Sequence, residues 1–359
     1  MRSMELPVVV GVDGSEPSLR AVDWAVDEAA LHGVPLRMVY ASLWERYEGP
    51  ALVRALGRPA EHERAEAIVA SAAARAEHRD PDVKVSAEAV RADAVSALVC
   101  EGRNASMVVV GARGRGGLAE LLLGSVSLGV AARASCPVVV LRDGRAPGAR
   151  TRAEQRIVLG VGEATDEAAV RFAFQEAADR YACLHALHAW RCPAPGTPHA
   201  SLRAADPVGG HERRAEGRVP ASDQAPPATD GVPVRDQAPP AVGRVPVRDE
   251  QPADGERHTL DRGPHAPDHV PLCGHEQRAT DRLEEALRDA AREHPSVRVR
   301  RRPVEGGART ALLRAAATAD LLVVGARRRR GHLGLQLGRV AHAVLHHSAC
   351  PVAVVPQRE

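Results

Sequence analysis

The chain has 359 residues, enough for two domains, with 44% hydrophobic residues but only 2% aromatic ones, so its cores must be built from Val, Leu and Ala. Forty-eight basic residues against 46 acidic ones leave a formal net charge of +2, and no global field argues for a nucleic-acid partner. Lys84 is the sole lysine, which excludes a Walker-type P-loop and leaves little room for lysine nucleophile chemistry. Met1 to Pro7 carries no apolar signal segment, and no run approaches the roughly 20 apolar residues that span a membrane. The six cysteines are scattered without CxxC spacing; Cys136 and Cys350 each precede Pro-Val at a strand start, where a buried thiol behaves as a small apolar group. The expectation is a cytoplasmic chain with reduced thiols.

Val8–Val9–Val10–Gly11–Val12–Asp13–Gly14–Ser15 reads as a buried strand ending in a polar turn. Ser15 or Ser18 can cap the helix that follows, from about Leu19 to His32, with Pro17 near its first turn and Gly33 at its stop. Leu36 to Ala41 is a second strand, 42–60 a looser connection, and Glu61 to Arg79 an Ala-rich charged helix. Val83 to Val90 is a third strand and Ala94 to Glu101 a helix. A continuous apolar strand then ends at a glycine, in Met107–Val108–Val109–Val110–Gly111, followed by a Gly- and Arg-rich loop, a helix to about Ala134 and a strand at Pro137–Leu141. Such alternation implies a parallel sheet covered on both faces, with any ligand at the carboxyl ends of the strands.

The pattern repeats. Arg156 to Gly162 echoes Val8 to Gly14, Ala168 to Tyr181 echoes the first helix, and Leu184 to Ala189 echoes the second strand. A helix from Glu276 to about Glu293 and a strand near Val297–Val304 follow. Leu321 to Gly325 echoes Val108 to Gly111, and Ala349 to Val355 echoes the strand at 135–141. Between the second strand and second helix of this copy, residues 191–275 hold 15 of the 27 prolines and no Phe, Tyr or Trp. An imperfect 13-residue repeat starts there at Val219, Val232 and Val245. The stretch lacks the apolar content to bury a core and reads as disordered or polyproline-like.

The chemistry concentrates after the fourth strand. Gly111, two residues, Gly114, nine residues, Gly124 and Ser125 form a frame whose glycines allow close backbone approach to an anion. Backbone N–H groups at the start of the next helix favour negative charge, Ser125 and Ser127 add hydroxyls, and Arg113 and Arg115 add positive charge. This frame resembles the ATP-binding signature of the universal stress protein family, Gly-x2-Gly-x9-Gly-Ser/Thr. The resemblance implies two tandem Rossmann-like domains, 1–145 and 153–359, each with a five-stranded parallel sheet and helices on both faces. In that family the first and fourth strands are neighbours, which brings Asp13 and Gly111 to one crevice. It further implies that Gly11, Asp13 and Ala41 line the nucleoside side. Gly111, Arg113, Gly114, Arg115, Gly124, Ser125, Val126 and Ser127 line the phosphate side. The implied ligand is ATP, with Mg2+ as an optional companion, and no residue is assigned a catalytic or metal-ligating role. The implied work is that of a stress-response regulator or sensor, with a homodimer beside an internal pairing of the two copies through their last strands. A slow ATP hydrolase or nucleotidyl-transfer enzyme is the alternative, against which the loop offers no lysine or histidine, and at most Asp13 or Glu120 to hold a metal; a third reading is an interaction protein whose Pro-rich insertion is the working part.

The second copy departs from the frame: Gly162 stands for Asp13, Arg328 for Gly114 and Arg339 for Ser125, while Gly325 and Gly338 remain. A long side chain in a phosphate loop obstructs backbone approach, so this site is expected to be degenerate. The run Arg327–Arg330 reads as a solvated charge run, the opposite reading being that it binds another anion or a nucleic-acid phosphate. His265, His269, Cys273 and His275 lack the rigid turn or helix of a zinc site and read as ordinary insertion residues.

Overall fold

The computed structural model describes residues 6–42, 59–113, 123–142, 155–163, 167–191, 274–326 and 337–357. In the first half the elements run β1 (Val8–Gly11), α1 (Glu16–His32), β2 (Leu36–Ala41), α2 (Pro59–Arg79), β3 (Val85–Val90), α3 (Ala94–Glu101), β4 (Met107–Gly111), α4 (Ser125–Arg133) and β5 (Val138–Leu141). The second half repeats the series as β6 (Arg156–Val161), α5 (Glu167–Asp179), β7 (Cys183–Trp190), α6 (Gly274–Glu293), β8 (Val299–Glu305), α7 (Ala308–Ala316), β9 (Leu321–Ala326), α8 (Arg339–His347) and β10 (Val352–Pro356). Helices α7 and α8 have no counterpart in the expectations above. Each is only nine residues, and α8 carries three histidines where a strong helix former would mark it. The Pro-rich stretch between β7 and α6 lies outside the described residues, as does the Arg327–Arg330 run.

All ten strands form one sheet, in the order β3-β2-β1-β4-β5-β10-β9-β6-β7-β8. Pairing within each half is parallel. The halves meet where β5 and β10 pair antiparallel, with Val140, Val139 and Val138 opposite Val352, Ala353 and Val354. Each last strand is a short apolar run whose open edge would template association, and the tandem closes both edges on each other. The edges left over are β3 and β8. β8 carries Arg300, Arg301, Arg302 and Pro303, residues that discourage strand addition.

Central strands such as Val8–Gly11, Met107–Gly111 and Val138–Leu141 are buried on both faces, as their unbroken apolar sequences require. Helices α1, α2, α5 and α6 cover one face and α3, α4, α7 and α8 the other, over two cores dominated by Val, Leu and Ala. Helix α1 begins three residues before Leu19. Ser15 is its N-cap and accepts from the Ser18 N–H, and Pro17 sits in its first turn. Gly33 stops it in the left-handed region at φ +67°, donating to the Ala29 and Ala30 carbonyls.

Helices α1 and α5 bring a charged cluster into the interior. Glu28 and Glu176 are both buried, each four residues before a basic side chain, His32 and Arg180. The pairs cross between the halves. Arg180 bonds Glu28 of the other helix as well as Glu176 at 3.1 Å. His32 Nε2 lies 2.9 Å from Glu28 and 3.3 Å from Glu176, with its Nδ1 3.1 Å from Asp179. The Arg180 guanidinium rests over the Trp24 ring, 5.7 Å from its centroid.

Hydrogen bonds to Glu176 and Glu28 raise His32 to about 10. A group whose folded value lies above its unfolded one stabilises fully below the unfolded value, near 6.5, and the stabilisation is lost as pH rises toward 10. The melting temperature should therefore fall steadily from pH 7 to pH 8, below the unfolded cysteine value near 8.5, above which the buried Cys136 and Cys350 add to the slope. His32→Gln should flatten that slope in scanning calorimetry at a series of pH values. An unchanged slope in the variant would remove His32 as its source.

Candidate functional site

The order β2-β1-β4 puts the sheet's switch point between β1 and β4, because the chain leaves β1 toward β2 on one side and reaches β4 on the other. The carboxyl ends of these strands carry Asp13 and Gly111. Register fixes the level: Val10 is opposite Val109, Gly11 opposite Val39, and the Val12 N–H donates to the Val39 carbonyl. Ala41, two residues on, ends β2 beside this opening.

Asp13 shapes the turn into α1. Its Oδ1 accepts from the Ser15 N–H at 2.9 Å and the Ser15 hydroxyl at 2.6 Å, and its own N–H donates to Ser18 Oγ at 3.3 Å. Gly14 supplies the positive φ, +77°, that the turn needs. Among the described residues Oδ2 accepts no hydrogen bond, and Asp13 is half-buried. The carboxylate is thus both a turn former and an open acceptor.

Gly111 is a close-approach position. A Cβ there would lie 2.8 Å from the Pro17 carbonyl carbon and oxygen, so the first turn of α1 sits directly against β4. The Gly111 carbonyl accepts from Ser127 Oγ at 2.6 Å. That bond fixes the N-terminus of α4 to the end of β4 and consumes the buried Ser127 hydroxyl. Gly124 is the N-cap of α4 at φ −66°, ψ 148°, with no side-chain cap, and its N–H donates to the Ala112 carbonyl at 2.7 Å. The N–H groups of Ser125, Val126 and Ser127 open the helix, and the Leu128 N–H is the first to reach back, to Gly124. Ser125 is exposed, Val126 partly packed and Arg113 half-buried. Gly114 and Arg115 lie outside the described residues.

Gly11 occupies a different place. Its missing Cβ is where Leu98 of α3 packs, at 2.9 Å, and Gly160 of the second half meets Leu312 in the same way at 3.1 Å. A glycine present in both halves against an equivalently placed leucine gives helix–sheet packing a use for the missing Cβ, beside any contact its backbone makes. The residue that sequence reasoning left out of the opening is Pro17, whose backbone walls it beside Gly111.

The second half builds the same frame with different fittings. α8 starts after Gly338, at φ −59° and ψ 151° and again without a side-chain cap. Its first residue is Arg339, where α4 has Ser125, and β6 is followed by Gly162, which offers no carboxylate. His188, in the register position of Tyr40, turns its Nδ1 to the Val161 carbonyl at 3.0 Å.

The chain is similar to known proteins. The model of the universal stress protein family matches residues 5–142 and 258–356. A curated universal stress protein of Mycobacterium tuberculosis is 35% identical over 194 residues, or 51% of this chain and 63% of the relative, so the chain spans less than two thirds of it. A universal stress protein from Archaeoglobus fulgidus, solved by crystallography, aligns over 98% of both chains with a TM-score of 0.58 at 15% identity. Another, solved in complex with cAMP, is 32% identical over 39% of this chain and 98% of its own, with a TM-score of 0.30. None of the described helices is long and apolar enough to cross a membrane. With its two matched segments and its repeated five-stranded halves, the chain belongs to the universal stress protein family.

Proposed function

We propose that the first domain, within residues 1–145, binds ATP and that the protein acts as a stress-response regulator or sensor rather than as a fast catalyst. One observation carries this reading above the others. An open carboxylate oxygen, a strand end with no room for a side chain and an uncapped helix start converge at the switch point of the first half. In this reading Asp13 Oδ2 takes a hydroxyl of the nucleoside and Ala41 flanks the base. Gly111 and Gly114 leave the backbone bare for the phosphates. The N–H groups of Ser125, Val126 and Ser127 meet the negative charge of the phosphates, and Arg113 and Arg115 add positive charge beside them. Ser127 Oγ acts as a brace for the loop, since the Gly111 carbonyl already holds it.

The second domain, within residues 153–359, is proposed to be closed to ATP, because it has Gly162 for the carboxylate and Arg339 at the helix start. Isothermal titration of the full chain should give one ATP per chain. Two equivalent sites, or no saturable heat, would overturn the assignment. A homodimer would use a surface other than the β5 and β10 edges, which are paired with each other.

A further inference from the structure

The two halves also differ on the face covered by α3 and α7. In the first half Arg37 fills the space between β2, β3 and α3. Its guanidinium holds Glu101 by two bonds, at 2.7 and 2.9 Å, and Glu88 by one, at 2.7 Å. The second half keeps the backbone and reverses the chemistry. His185 stands where Arg37 does, since Val9 pairs with Arg37 and Val158 with His185. Arg302 stands for Glu88, opposite Leu187 as Glu88 is opposite Val39. Ala315, the eighth residue of α7, stands for Glu101, the eighth residue of α3.

The result is a cavity of about 460 Å³ where the first half has a salt-bridged plug. Arg156, His185, Arg302 and Arg314 line it, with the hydroxyls of Thr310 and Thr318. Arg156 donates to Thr318 Oγ1 at 2.7 Å and is thereby aimed along the wall. Two carboxylates belong to the neighbourhood: Glu305 lines one end, and Asp320 accepts from the Arg156 backbone N–H. The uncapped start of α7, after Gly307, borders the same end. A concave site of this size, with forked cationic donors and hydroxyls, suits a small tetrahedral oxyanion on a compact organic body.

From the reversal of charge between the two halves, we propose that this groove beneath α7 binds a small phosphomonoester. It is separate from the crevice at the ends of β1 and β4, and it gives the second domain a ligand of its own. His185 is buried and held neutral, pushed down to about 4 by burial and by Arg156, Arg300 and Arg302. It therefore serves as a neutral hydrogen-bonding wall, while the arginines carry the charge. Binding should weaken with added salt.

The test rebuilds the plug. His185→Arg with Arg302→Glu and Ala315→Glu copies Arg37, Glu88 and Glu101 into the second half. Full-length protein is titrated calorimetrically with ribose 5-phosphate and, in parallel, with inorganic phosphate. The wild type should bind ribose 5-phosphate saturably. The plugged variant should lose at least about tenfold in affinity while melting no lower than the wild type. Arg302→Glu alone, at an exposed edge-strand position, should show the same direction of loss and serves if the triple variant does not fold. Tighter binding of ribose 5-phosphate than of phosphate marks an organic ester as the ligand. No saturable binding to the wild type, preference for bare phosphate, or equal binding by a folded plugged variant would each overturn the proposal.

Discussion

Replacing Arg180 by alanine is expected to cost the folded protein about 3–5 kcal/mol, the usual result of removing one partner from a buried ion pair. For a protein of this size that is a fall of roughly 6–20 °C in melting temperature. The reason lies in what is left behind. Glu28 and Glu176 are almost fully buried, and Arg180 is bonded to both. Burial pushes Glu28 up, but the Arg180 charge and the bonds from His32 and Glu176 outweigh it and hold the group below its ordinary value. Glu176 is raised, by its burial first and by the neighbouring Glu28 charge second. Without Arg180 the only cation bonded to both carboxylates among the described residues is His32. Replacing Glu28, His32, Glu176 and Arg180 together by leucine should recover most of the loss, because an apolar set of similar volume avoids desolvation altogether. Denaturant unfolding of the single and quadruple variants measures both. A loss under 1 kcal/mol in Arg180→Ala would mean that water reaches the carboxylates.

How far the sequence reveals this molecule depends on whether the information is local. Strand–helix alternation is local, so β1, β2 and β4 through Val8–Gly11, Leu36–Ala41 and Met107–Gly111 are legible from their apolar runs. The internal pairing of β5 with β10 is legible at one remove, from two apolar last strands in a tandem. The Glu28–His32 and Glu176–Arg180 pairs look like ordinary surface pairs at i, i+4 on charged helices. Only the crossing of α1 with α5 buries them, and nothing in either helix announces that partner. The groove under α7 is equally hidden, since His185, Arg302 and Ala315 gain meaning only through the register of β7 with β8 set beside that of β2 with β3. Gly11 shows the opposite difficulty. Its place in a motif-like string suggests ligand contact and gives no hint that Leu98 also packs in the direction of its missing Cβ.

That contrast between glycines sets the second large effect. Gly111→Ala would drive a Cβ to 2.8 Å from the Pro17 backbone, which can yield only if the first turn of α1 and the Asp13 turn shift with it. Overpacking of that kind costs about 1–3 kcal/mol, and the shift should weaken ATP binding as well. Gly11→Ala meets the flexible end of the Leu98 side chain instead and should leave ATP affinity unchanged. Asp13→Asn keeps an Oδ1 acceptor for Ser15, so the turn should survive while the charge is lost. A charge-assisted hydrogen bond is worth about 1.5–3 kcal/mol, which predicts a roughly ten- to hundredfold fall in ATP affinity. Gly114→Arg copies Arg328 of the second half and should weaken binding at least as much. The converse experiment asks whether the same features suffice. Gly162→Asp, Arg328→Gly and Arg339→Ser, made together in a full chain that also carries Gly114→Arg, should restore some binding in the second domain. Titration of ATP into each folded variant decides the matter. Unchanged affinity in Asp13→Asn and Gly114→Arg would move the nucleotide away from the β1–β4 crevice. A silent triple revertant would mean that the second crevice is closed by more than these three side chains, with His188 against the Val161 carbonyl the first candidate to examine.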